Sequence, residues 1–104
     1  MPQAFLVVRS VVSDQSLRAR FDHWYATDHL PRAVADLGVE KGWRLWSDTD
    51  ARVHYAVYRF ASMDRLEKGM SSDQFKSLVA DFDRTWPAGV TRTREILRLA
   101  EALG

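Results

Sequence analysis

Hydrophobic and polar positions alternate between two periods along this chain. FLVVRSVV, Phe5 to Val12, is apolar and β-branched in both parities, the pattern of a strand covered on both faces. SDQS follows, and Ser13 or Asp14 is placed to cap a helix. Leu17, Phe21 and Trp24 then recur at helical spacing with Tyr25 on the flank. Pro31 is expected to break or kink this helix, which runs on to Leu37 and closes at Gly38. GWRLWS (Gly42 to Ser47) and VHYAVYRF (Val53 to Phe60) read as the two strands of a hairpin. Ser62 caps a short helix in MDRLEKG, and Ser71 with Gln74 resembles a capping box before the next one. That helix carries Phe75, Leu78, Val79 and Phe82 on one face and ends before Pro87. TRTREILRL, Thr91 to Leu99, is the last strand.

The order strand, helix, strand, strand, helix, strand predicts a ferredoxin-like α+β protomer: a four-stranded antiparallel sheet with its helices on one face. Residues 1–104 form one domain, since a chain of this length builds one core. The strands carry Trp, Tyr, Leu and Val on both sides. A homodimer joined sheet to sheet would cover the face that the helices leave open.

Composition narrows the function. Fifteen basic and fourteen acidic residues leave a formal charge of +1, which gives no reason to expect nucleic acid or an anionic membrane as partner. The chain has no cysteine, so a disulfide, a thiolate metal site and a cysteine nucleophile are excluded. The N-terminus carries Arg9 within its apolar run and reads as a strand, not a signal peptide; a cytoplasmic location is the default. Five Phe, four Trp and three Tyr are many aromatics for a domain this small, and some are expected in an interface or a cavity. No Gly-rich phosphate loop, serine-hydrolase elbow or carboxylate cluster is present, and no cofactor or metal motif is found.

FDHWYATDHLP resembles the first-helix signature of EthD-like proteins, within the superfamily of dimeric α/β barrels. Phe21, Trp24, Tyr25, Asp28, His29 and Pro31 hold the characteristic places. YAVYRFASMD, Tyr55 to Asp64, also resembles that superfamily's third strand running into a serine-capped helix. The resemblance implies a ferredoxin-like fold and a dimer with pockets. It does not imply one reaction, because its relatives include cofactor-free monooxygenases, isomerases, cyclases, dehydratases, haem-binding enzymes and stress proteins.

Asp-His occurs twice, at 22–23 and 28–29. Six helical residues advance roughly 600°, so His23 and His29 lie about 120° apart and do not share a face. His23 falls off the Leu17–Phe21–Trp24 stripe and reads as a solvated side chain. His29 sits beside the disturbance expected at Pro31. Backbone physics alone favours a role in fixing the bend; the resemblance implies a role in a pocket. There His29 would be general acid or base, with Asp28 or Tyr25 assisting. Trp24, Trp43, Trp46, His54 and Tyr58 are the candidates for substrate contact. Trp43 and Trp46 point to opposite faces of one strand. His54 shares a face with Ala56, Tyr58 and Phe60, and that face is either the helix-packed core or the cavity. Arg92, Arg94 and Arg98 share a face of the last strand and would either attract an anionic substrate or pair with acids such as Glu95 and Asp50.

These features point to a small cofactor-independent enzyme acting on an apolar, aromatic or polyketide-like molecule by acid–base chemistry, of the isomerase, cyclase or dehydratase type. The alternatives are a non-catalytic or stress-related module that binds a hydrophobic molecule, and a haem-binding protein.

Overall fold

The structure is a computed structural model that describes residues 2–104. Strand β1 (Ala4–Val12) leads through a single 3-10 turn (Gln15–Leu17) into α1 (Arg18–Trp24), a π-helical turn (Tyr25–His29) and α2 (Leu30–Asp36). The hairpin strands β2 (Lys41–Trp46) and β3 (Val53–Phe60) follow, then α3 (Met63–Met70), α4 (Asp73–Thr85) and β4 (Val90–Arg98). The sheet order is β2-β3-β1-β4 and every neighbouring pair is antiparallel. This is the ferredoxin-like arrangement.

The helices cover one face only. On β1 the even positions Ala4, Leu6, Val8, Ser10 and Val12 are buried beneath them. The odd positions are half-buried or, at Arg9, exposed. The double covering expected of β1 is therefore absent within one chain, where the burial pattern alternates. His54, Ala56, Tyr58 and Phe60 of β3 all face the helices, which settles the face of His54 as the helix-packed one. Phe21 and Tyr25 supply the largest fully buried helical side chains against this surface.

Three local expectations change. First, Pro31 neither breaks nor caps off the helix. The chain absorbs it with a wider turn, in which the Leu30 amide donates to the Tyr25 carbonyl five residues back and φ/ψ stay helical at both ends. A π turn re-routes the hydrogen bonds that a proline would leave unmade. Second, the cap of α4 is Ser72, not Ser71: its hydroxyl accepts from the Phe75 amide and its backbone is extended, as a cap requires. Ser71 instead closes α3, its hydroxyl donating to the Glu67 carbonyl. Third, Arg92 pairs with Asp83 of α4, not with Glu95 or Asp50. Asp14, Ser62 and Gly38 occupy the cap positions read from the sequence, Gly38 with φ 74°.

Candidate active site

The π turn governs what faces the sheet. It turns Tyr25 and His29, four residues apart, toward the same interior, and both are buried there. Beneath them lie Tyr58 of β3 with Leu6 and Val8 of β1, and Arg92 and Arg94 of β4 close one side. Together with apolar side chains of α2 and α4 these enclose a cavity of about 30 Å³ between helices and sheet. That is room for roughly one water, so a ring-sized ligand needs the lining side chains to shift.

His29 is stacked on Trp24, with ring centroids 4.6 Å apart and planes 20° from parallel. Its Nδ1 is buried and has no hydrogen-bond partner. Burial, with the positive charge of Arg92 added, lowers its pKa to about 4. At neutral pH the ring is an uncharged base at the cavity wall. Tyr25 and Tyr58 meet there as phenols. Burial raises both above their ordinary value, Tyr58 well above it. Both are hydrogen-bond donors at neutral pH.

Arg92 carries the site's charge. Its side chain is 12% exposed and its guanidinium lies 3.8 Å from the ring centre of Phe82. Its one acidic partner, Asp83 at 3.2 Å, is on the outer side and largely solvated. Burial and the neighbouring Arg94 lower its pKa. The sequence shows the alternation of Arg92 and Arg94 but not which face they take; the register Ser10↔Arg92 and Val8↔Arg94 puts them on the helix side.

The remaining candidates scatter. Asp28 makes no hydrogen bond to His29 among the described residues: its carboxylate accepts from Arg32 at 3.4 Å, and Arg32 also reaches Asp81 at 3.0 Å, which ties α2 to α4. Trp24 backs His29 without lining the cavity. Trp43 lies on the opposite face of the sheet, with Lys41 and Arg59 over its ring. Trp46 and His54 are on the helix side but at its closed end. There Arg44 donates from Nε to His54 Nε2 at 3.2 Å, and Asp22 accepts from both Arg44 Nη2 and Trp46 Nε1, at 2.5 and 2.7 Å. An accepting Nε2 places the His54 ring proton on Nδ1. Burial and the Arg44 charge hold its pKa at about 3. The first Asp-His pair is thus divided: Asp22 anchors a part-buried network, and His23 is exposed. Sequence spacing gave no signal for the Asp22–Arg44–His54 chain, since it joins a helix to two strands.

No protein-family model matches the sequence, and no curated protein is significantly similar to it. Solved structures do share its fold. SnoaB from Streptomyces nogalater, a cofactor-independent oxygenase, superposes with a TM-score of 0.75 at 13% identity over 99% of this chain and 98% of its own. HapK from Hahella chejuensis gives 0.71 at 12% identity over 97% of each chain. An ethyl tert-butyl ether D (EthD) family protein from Bacillus halodurans gives 0.65 at 15% identity, covering 91% of this chain and 97% of its own. The EthD-like signature around His29 therefore sits in a chain that has the fold of an EthD-family protein and of a cofactor-independent oxygenase.

Proposed function

We propose that this protein is a small cofactor-independent enzyme that moves protons on an apolar, aromatic or polyketide-like molecule, as in isomerisation, cyclisation or dehydration. The observation that carries this reading is His29: a buried, neutral imidazole that lines a mostly apolar cavity and has a nitrogen without a partner among the described residues. In the proposed step His29 takes a proton from a carbon beside a substrate carbonyl. A Tyr25 or Tyr58 hydroxyl donates to the oxygen on which charge develops. Returning the proton at a second carbon completes an isomerisation. SnoaB is a cofactor-independent oxygenase, so the fold supports chemistry without a bound helper. Asp28 has no part in this reading, because its carboxylate is engaged with Arg32.

A homodimer belongs to the same proposal. Phe5, Val7, Trp43, Tyr55 and Val57 are only half-buried on the sheet face that no helix covers, and Leu45 and Leu97 beside them are 50% and 42% exposed. A second copy would bury this patch. Sedimentation at micromolar concentration should show a species of twice the 12.0 kDa chain mass; a single-chain species contradicts the assembly. The cysteine-free composition suits a cytoplasmic setting, and no helix among the described residues is long and apolar enough to cross a membrane.

Proton transfer is tested with 2-tetralone, a ring-fused ketone with acidic benzylic hydrogens beside its carbonyl. In D2O the protein should accelerate deuterium incorporation at that carbon, followed by NMR, and His29→Gln should return the rate to that of buffer. A wild-type protein that binds the ketone without accelerating exchange would leave the second reading, a non-catalytic carrier of hydrophobic molecules, which the mostly apolar cavity lining favours.

A further inference from the structure

The cavity has a sign. Its lining contains two arginines, one imidazole and two phenols, and no Asp or Glu. A guanidinium is seldom placed in an apolar wall without a facing carboxylate, because removing it from water is costly. Arg92 is close to this case: its side chain is 12% exposed, its guanidinium lies over Phe82 at 3.8 Å, and its one acidic partner among the described residues, 3.2 Å away, is 68% exposed. Asp83 engages one terminal nitrogen, Nη2, through one oxygen. The guanidinium fork has five N–H donors, so most of its capacity is uncommitted. Arg94, two residues on along the same face, adds a second positive charge at the rim over Phe75.

We propose that Arg92 is an anion-recognition residue, and that the cavity takes molecules with a carboxylate or an ionised phenol or enol joined to an aromatic or otherwise apolar body. This deepens the reading of the cavity as a ligand site and rests on it. The fork would hold the anionic group bidentately. The apolar body would lie against Leu6, Val8 and Leu78, with Tyr25 and Tyr58 adding donors. The burial and like charge that lower the pKa of Arg92 would be offset by the opposite charge of an arriving anion.

The test compares two probes of equal size, 2-naphthoate and 2-naphthamide, by isothermal titration to the full-length protein at pH 7.5. Naphthoate should bind on the order of 10- to 100-fold more tightly, the range expected for hydrogen bonds to a charged partner. Arg92→Gln should reduce that ratio to near one while leaving naphthamide affinity within about twofold. Arg92→Lys should keep part of the preference, and Arg98→Gln, which does not line the cavity, should keep all of it. Equal affinity of the two probes in the wild type overturns the proposal, as does binding of neither at millimolar concentration or a preference that survives Arg92→Gln. Should the glutamine variant fail to fold, the wild-type comparison and Arg92→Lys still decide. Charge preference and proton exchange are separate readouts: preference without exchange defeats the acid–base function and leaves the anion site standing, and exchange without preference does the reverse.

Discussion

His29 and His54 stand at two ends of the same helix–sheet interface, both buried, both touching Tyr25 and both held neutral. Their rings lie 4.9 and 4.7 Å from the Tyr25 ring centre. They differ in their other neighbours. At the closed end Arg44 donates to His54, and Asp22 and Trp46 hold Arg44 in place. Nδ1 of both rings is buried without a partner among the described residues, but at the open end the His29 ring borders a cavity, which the His54 ring does not. Burial, with a neighbouring guanidinium charge added at each end, explains why both are deprotonated. It does not make either one reactive: a base needs a free nitrogen within reach of a substrate. The comparison thus assigns a structural part to one histidine and a chemical part to the other.

The sharpest way to break the comparison is to remove each imidazole's defining feature. His29→Gln should lower turnover on the order of 10²–10⁴-fold, the usual loss for a general acid–base group. It should leave the thermal transition nearly in place, since no hydrogen bond to Nδ1 is lost. Chemical denaturation of Arg44→Met should instead show a loss of about 1–3 kcal/mol, because His54 Nε2 and the Asp22 carboxylate lose their common donor. A variant as stable as the wild type would show that the closed end is not held this way.

Acid sharpens the same contrast. An imidazole titrates near 6.5 in the unfolded chain, but at about 4 for His29 and about 3 for His54 when folded. Between pH 6.5 and 4 the unfolded state binds more protons. Stability is therefore complete above 6.5 and falls as pH drops, by about 1.4 kcal/mol per unit for each histidine. Denaturation across this window should show that slope, and His29→Gln should reduce it by about half. An unchanged slope would mean that His29 titrates alike in both states. The smallest effect belongs to His23, which is exposed: His23→Ala should shift stability by less than about 0.5 kcal/mol, far less than Trp24→Ala, whose ring packs on His29 and Phe82.

Much of this was legible in the residues. Element order followed from period-two and helical patterns, and Asp14, Ser62 and Gly38 marked the turns because capping chemistry is local. Ser71 and Ser72 were not separable, because adjacent serines offer the same hydroxyl and only backbone dihedrals distinguish them. Pro31 signalled a disturbance near His29 but not its form: a break, a kink and a π turn all remove the same hydrogen bond. Strand parity grouped His54 with Tyr58, and Arg92 with Arg94, without saying which group faced the helices, since a period of two is symmetric between faces. The Asp22–Arg44–His54 chain was illegible for a different reason. Residues 22, 44 and 54 meet only through tertiary packing.

The most direct test of the contrast is ¹⁵N NMR of the imidazole nitrogens through a pH titration, with and without 2-naphthoate. The account predicts that His54 shows a fixed Nδ1–H tautomer indifferent to the ligand, whereas His29 stays neutral down to about pH 4 and its nitrogen resonances move when the ligand binds. A His29 that titrates near 6.5 and ignores the ligand, beside a His54 that responds to it, would contradict the assignment.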